Sequence, residues 1–267
     1  MAPYVLLDKQ VGETPLEVTE TWRNKNPEMT GIPLAYAGRL DPMASGKLLV
    51  LIGEECKQQA LYHNLDKEYQ VTILLGLESD SGDVLGIVTP GITKTLNEES
   101  IKQILSDLEG VIKLPYPVFS AKTVAGKPLH TWAIENRLNE ITIPTKTSEI
   151  YTLVLNKLST ASRYEVTQAA LQKIALLPKV TDPRKALGND FRRPDVLSSW
   201  KKFAETDSPD KQFLLVDIIC RCSSGTYMRT LAEVIAKKAG TSGLAFAIHR
   251  SVIGLYDQKS KTWQKVF

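Results

Sequence analysis

Cysteine and histidine are both scarce in this sequence, three of each among 267 residues. Cys56 stands alone, and Cys220 and Cys222 fall on one predicted strand, where they are expected to face opposite ways. That spacing suits neither a zinc knuckle nor a disulfide framework, so reduced packing thiols are expected. His63, His130 and His249 lack metal-ligand spacing such as HExxH, and no metal is expected. Every apolar run falls short of the roughly 20 residues that cross a bilayer, which excludes a helical membrane span from the reading. The start, Met1 to Asp8, has neither the basic opening nor the small-residue cleavage site of a signal peptide, so a cytoplasmic location is expected. Internal repeats and low-complexity tracts are lacking as well. The formal net charge is only +3, a balance that permits a polyanion partner without pointing to one.

What is present is an ordinary globular composition, 43% hydrophobic and 24% charged, long enough to bury a substantial core. The pattern is α+β. Strands are predicted over 4–7, 47–52, 68–75, 149–158 and 212–223 from their Val, Ile, Leu and Tyr content. Helices are predicted over 16–25, 54–61, 97–108 and 226–239. In the third, Ile101, Ile104, Leu105 and Leu108 mark one face, with Asn97 as N-cap. Gly240 ends the last, with Lys237 and Lys238 in its final turn, where cations suit the helix dipole. Residues 162–210 read as an excursion from the sheet, a helix followed by an irregular basic arm. Arg184, Lys185, Arg192, Arg193, Lys201 and Lys202 on that arm could meet phosphates, or the segment could simply be a solvated insertion.

The segment with chemical interest runs Ala35-Tyr36-Ala37-Gly38-Arg39-Leu40-Asp41-Pro42-Met43-Ala44-Ser45-Gly46. Two glycines and a proline exclude a regular helix or central strand, so it is read as a loop running into an apolar strand. A carboxylate raised on a stiff loop is a common catalytic device. On spacing alone, however, Asp-Pro is a turn starter. No nucleophile–histidine pair stands out, which disfavours a small-molecule hydrolase.

Six segments then fall into one order. Gly38-Arg39-Leu40-Asp41-Pro42 with Ala44-Ser45-Gly46 resembles the nucleophile motif of pseudouridine synthases, the TruB branch in particular. Asp66-Lys67-Glu68-Tyr69 is similar to that family's D-K-x-Y, and Ser79-Asp80-Ser81 with Asp83 to the acidic loop after it. The stretch from Pro117-Val118-Phe119-Ser120 to Leu129 resembles the segment that clamps the RNA loop. Ser224-Gly225-Thr226-Tyr227-Met228-Arg229 is similar to K-G-T-Y-I-R, and residues 240–250 to the family's last motif. Departures are Tyr36, where histidine is common, Arg39, and Gln10, where a proline usually follows Lys9.

The resemblance implies one catalytic domain over 1–267, a central mixed and mainly antiparallel sheet flanked by helices, with an insertion at about 162–210 and without the C-terminal PUA domain common in the family. It implies isomerisation of uridine to pseudouridine in RNA, with uridine 55 in the tRNA T-loop the first expectation and ribosomal RNA or an mRNA stem-loop another. A non-catalytic RNA chaperone of the same fold stays open, although the set Asp41, Tyr69 and Arg229 speaks against it. In this reading Asp41 is the nucleophile, Arg229 keeps it ionised, and Tyr69 stacks on the base and can pass a proton. Ile248 packs on the base from the other side. Tyr36 stacks in the space left by the flipped base, and Arg39, Lys9, Lys122, Lys127 and Asp83 are placed among the RNA contacts. No cofactor is implied, since the isomerisation is redox-neutral, and a monomer is expected.

Overall fold

The computed structural model describes residues 2–180, 190–205, 208 and 210–267. Arg184 and Lys185 of the predicted basic arm lie outside the described residues. The chain opens with β1 (Tyr4–Lys9) and α1 (Pro15–Lys25). A capping box sets the start of α1: Thr14 Oγ1 accepts from Glu17 N at 3.2 Å, and the Glu17 carboxylate accepts from Thr14 N at 2.7 Å. β2 (Leu34–Ala37) and β3 (Ala44–Ile52) bracket the loop that carries Asp41. The predicted loop over 35–46 is thus shorter than read, because β2 finds a partner in β3 despite the glycine and proline around it. A 3-10 turn, Gly53–Gln58, and the short α2 (Gln59–His63) replace the single helix expected over 54–61.

β4 (Asp66–Leu75) follows, and then a small ladder of β5 (Leu77–Ser79) and β6 (Val88–Pro90) that holds the acidic loop between its strands. α3 (Glu98–Ser106) is capped by Asn97, whose Oδ1 accepts from Ser100 N at 2.9 Å. β7 (Gly110–Pro115) leads to a hairpin of β8 (Thr123–Val124) and β9 (Lys127–Pro128). Its turn residues Ala125 and Gly126 both have positive φ, 47° and 85°, as a two-residue turn matching strand twist requires. α4 (Leu129–Ile134), the long β10 (Thr145–Ser162), α5 (Arg163–Ala175) and α6 (Arg193–Glu205) come next. The chain finishes with β11 (Gln212–Cys222), α7 (Met228–Lys238), β12 (Gly243–Asp257) and β13 (Thr262–Val266).

The main sheet runs β1-β3-β12-β4-β11-β10-β7, with β2 added to β3 and β13 to β12. Every pairing is antiparallel except β3 with β12, where Ile248 lies opposite Ala44 and Arg250 opposite Gly46. A Cβ at Gly46 would stand 2.2 Å from the Arg250 carbonyl oxygen, so only glycine lets these two backbones meet. That parallel seam ties the end of the Asp41 loop to the middle of the sheet.

Two expectations need correction. The described helices of the segment 162–210 are no solvated excursion: Val166, Ala170, Ile174, Val196, Trp200 and Phe203 from α5 and α6 belong to the main core. The Trp200 indole N–H donates to the Val84 carbonyl at 3.0 Å, which fastens α6 to the acidic loop. Cys220 and Cys222 share one face of β11, as residues two apart on a pleated strand must. Both are buried, and a hydrogen bond from the Cys220 thiol to Cys222, together with burial, pushes the Cys220 thiol up. Among the described residues no helix is long and apolar enough to cross a membrane.

Candidate active site

Asp41 projects from the loop between β2 and β3 with its side chain 42% exposed, and a buried guanidinium meets its carboxylate. Arg229 Nε donates to Asp41 Oδ2 at 2.8 Å. Its two remaining nitrogens donate to carbonyl oxygens, Nη1 to Ser81 at 3.0 Å and Nη2 to Phe119 at 3.2 Å. Arg229 sits in the first turn of α7, so a stiff element aims it. Burial works against its charge, but Asp41 and Asp83 outweigh that and hold its pKa above the ordinary arginine value.

Asp83 lies 3.6 Å from Arg229 Nε and is itself buried. It accepts from Ser81 Oγ at 2.7 Å and from Leu85 N at 2.9 Å. Burial raises its carboxyl pKa and Arg229 draws it back. The structure therefore places Asp83 behind the arginine as a counter-charge, not on the surface as an RNA contact. Glu233, one turn beyond Arg229, has its carboxyl pushed up to about 7, by loss of hydration first and by the neighbouring Asp83 and Glu78 next, against the pull of Arg229.

Tyr69 and Ile248 arrive on adjacent strands. Tyr69 on β4 lies opposite Arg250 on β12, and Val71 opposite Ile248, which puts Tyr69 and Ile248 diagonally on one face. Ile248 is buried, and Tyr69 is partly buried against the main core. Burial raises the Tyr69 phenol pKa while Arg250 lowers it, partly through a hydrogen bond. Tyr227 is a third aromatic near the centre that carried no role in the sequence reading. Its phenol is pushed up to about 12, by burial first and then by Tyr116 and Asp41. Its ring stands 5.2 Å from that of Tyr116. The signal that could have found it was its place two residues before Arg229.

Beneath the Asp41 loop lie buried cations aimed at backbone carbonyls. Lys9 Nζ donates to Ala44 O at 2.5 Å, Gln10 O at 3.0 Å and Pro42 O at 3.4 Å. Arg250 donates to Gly38 O at 3.0 Å and Lys47 O at 2.8 Å. Lys67 donates to the carbonyls of His63 and Leu65. The bonds of Lys9 and Arg250 to Gly38, Pro42, Ala44 and Lys47 satisfy acceptors on both flanks of Asp41 and hold the loop in one shape. The placing of Lys9 among the RNA contacts is thus corrected: the side chain is fully buried and its ammonium is taken up by the loop. Burial lowers its pKa to about 8, and that of Lys67 likewise to about 8.

The remaining predicted contacts are spread more widely. Tyr36 packs against Val18, Leu48 and Val50, with Arg39 lying 6.0 Å from its ring centre. Lys122 is exposed near the clamp hairpin, 5.1 Å over Tyr116. Lys127 pairs with Glu135 at 2.5 Å and covers Trp132 at 4.3 Å. Two arginines read as phosphate contacts are already engaged. Arg192 pairs with Asp80 at 2.6 Å, and Arg193 with Asp190 at 2.6 Å and with three carbonyls at the end of α5.

A cavity of about 310 Å³ lies beside Asp41 and Arg229. Phe119, Leu85 and Pro42 line it on the catalytic side, and Ile174, Leu177 and Phe191 from the insertion line it on the other. Among the described residues, no group of three His, Cys, Asp or Glu side chains could hold a metal ion.

The arrangement sets an exposed carboxylate against a buried guanidinium at the rim of a cavity, with a tyrosine and an aliphatic side chain side by side on one face of the sheet. A chain of a solved Cbf5-Nop10-Gar1 complex shares the fold, with a TM-score of 0.53 and 16% identity over 94% of this chain and 48% of that one. An H/ACA RNP bound to a substrate RNA containing 2'-deoxyuridine gives a TM-score of 0.50 at 14% identity, over 92% of this chain and 46% of that one. This chain spans about half the length of those neighbours. The fold is that of the pseudouridine synthases, a class of isomerases.

Sequence comparison narrows the class. The profile of the TruB family pseudouridylate synthase N-terminal domain matches residues 32–171. The tRNA pseudouridine synthase B of Endomicrobium trichonymphae is 30% identical over 96% of this chain and 86% of its own length. That of Caldicellulosiruptor saccharolyticus is 28% identical over 96% of this chain and 69% of its own length. The chain belongs to the TruB family of pseudouridine synthases.

Proposed function

We propose that the protein isomerises uridine to pseudouridine in tRNA, with uridine 55 of the T-loop as its target and Asp41 as the nucleophile. The observation that carries this reading is the pair of Asp41 and Arg229 at 2.8 Å, with the carboxylate facing solvent and the guanidinium buried. A fixed positive charge beside it favours the ionised form of a carboxylate. The relatives named tRNA pseudouridine synthase B support the choice of RNA.

In the reaction the glycosidic C1′–N1 bond breaks, the base turns, and C5 bonds to C1′. The C5 proton leaves and N1 ends protonated, so composition is unchanged. Asp41 forms a covalent bond to the nucleotide while the base turns, and that bond breaks again before the product leaves, which returns the free carboxylate. Tyr69, kept neutral by burial, offers a flat face to the flipped base and a phenol near the reacting atoms. Ile248, diagonal to Tyr69 on the same sheet face, adds an apolar contact beside it, and the extruded nucleotide costs a few kcal/mol that the RNA contacts offset.

The test uses purified protein with unmodified tRNA and with a variant in which the T-loop uridine is cytidine. Chemical mapping should find pseudouridine at position 55 of the first and nowhere in the second. Modification that survives in the cytidine variant would sink the T-loop assignment.

A further inference from the structure

We propose that the cavity beside Asp41 is a second nucleotide subsite, walled by the insertion, in which Phe191 stacks on a base next to the reacting one. This rests on the reading that the substrate is RNA. Neither Tyr69 nor Ile248 lines this cavity, so it is distinct from the sheet face that carries those two side chains. Any group that fills it stands against the same carboxylate and guanidinium as the reacting nucleotide. A neighbouring nucleotide of the same strand meets that condition without a separate ligand.

The insertion presents Phe191 on a strained stretch of backbone. Asp190, Phe191 and Arg192 are all left-handed, with φ of 43°, 49° and 63°. Residues with a side chain adopt that region singly and at a cost, and three in succession need external support. Support comes from both sides. The Asp190 carboxylate accepts from Val180 N at 2.8 Å and pairs with Arg193. Arg192 forks onto Asp80 at 2.6 and 3.2 Å and lies 4.0 Å over the Phe119 ring. The result is a phenylalanine left 38% exposed at the mouth of the cavity. Its ring stands 6.3 Å from both Phe119 and His130, tilted by 74° and 61°. Among the described residues no ring stacks parallel to it.

The lining also names the chemistry of the ligand. Apolar walls and two aromatic rings suit a base. Arg192, Arg193 and Arg229, which also line the cavity, are already held by Asp80, Asp190 and Asp41, so the fit is to the flat face of a base and not to a free phosphate. The volume, about 310 Å³, is at the small end of ligand sites and takes one nucleotide, not a duplex.

The experiment measures binding of an unmodified T-arm stem-loop RNA by fluorescence anisotropy, and pseudouridine formation on it, for wild type and for Phe191→Ala, Phe191→Tyr and Phe191→Leu. Loss of one stacking partner should raise Kd and KM about tenfold in Phe191→Ala, with a smaller fall in kcat. Phe191→Tyr should restore binding and Phe191→Leu should not. Unchanged Kd and KM in Phe191→Ala, or Leu restoring binding as fully as Tyr, would overturn the subsite. Should the alanine variant fail to fold, the Tyr and Leu pair decides, since both fill the position. Binding is read without turnover, so the two readings separate. RNA held through Phe191 but never modified sinks the catalytic reading alone. Normal turnover on RNA with Kd indifferent to Phe191 sinks the subsite alone.

Discussion

Arg229 donates in three directions at once, to Asp41, Ser81 and Phe119, and thereby ties the nucleophile loop, the acidic loop and the clamp segment to one helix turn. A lysine carries its donors on one nitrogen and could not span acceptors spread around the three nitrogens of a planar fork. Asp41, Tyr69 and Arg229 were singled out because their neighbours in sequence are distinctive, and the structure brings Asp41 and Arg229 into contact. Lys9 was misread for the opposite reason: a lysine's burial is decided by strands far away in the chain, and nothing in its own segment records it. The buried ammonium gives a pH test. In the folded protein Lys9 releases its proton near pH 8, whereas the unfolded chain keeps it to about 10.5. Between these values the unfolded chain binds more protons, so the contribution of this group to stability rises with pH. In urea titrations the stability of wild type relative to Lys9→Met should therefore increase from pH 8 to 10, by up to about 3 kcal/mol. A difference that stays flat across that range would show that Lys9 does not titrate there.

Strands were the readable elements, since β3, β4 and β11 carry long apolar runs that hardly permit another reading. The missed element was α6. Its Val196, Trp200 and Phe203 recur at helical spacing and are all buried, with Pro194 in the first turn, where proline is tolerated. The charges around them drew attention to a basic arm instead. β2 was missed because four residues between a proline and a glycine become a strand only when β3 pairs with them. The insertion is anchored by Trp200, which is fully buried, donates to Val84 and packs edge-on against Phe203 at 5.8 Å. Trp200→Ala should cost about 3–5 kcal/mol of unfolding free energy. Denaturant unfolding would check this, and a loss under about 1 kcal/mol would mean that the insertion is not integral to the core.

At the scale of the molecule, one parallel seam organises the centre. β12 meets β3 at Ile248 and Arg250 and meets β4 at Tyr69 and Val71, so residues distant in sequence surround Asp41. That convergence could not be read from any one segment, although the order of the motifs along the chain anticipated it. The insertion is the part that composition described poorly: its charges read as solvent-facing, yet several are paired inward and one aromatic ring is turned toward the cavity. Whether the carboxylate at this convergence is the attacking group is decided most directly by Asp41→Asn under single-turnover conditions with unmodified tRNA. The substitution keeps the side-chain shape and leaves the phosphate contacts in place, so RNA affinity should stay within about threefold of wild type while pseudouridine formation falls by at least about a thousandfold. Pseudouridine formed at a rate comparable to wild type would contradict the role of Asp41.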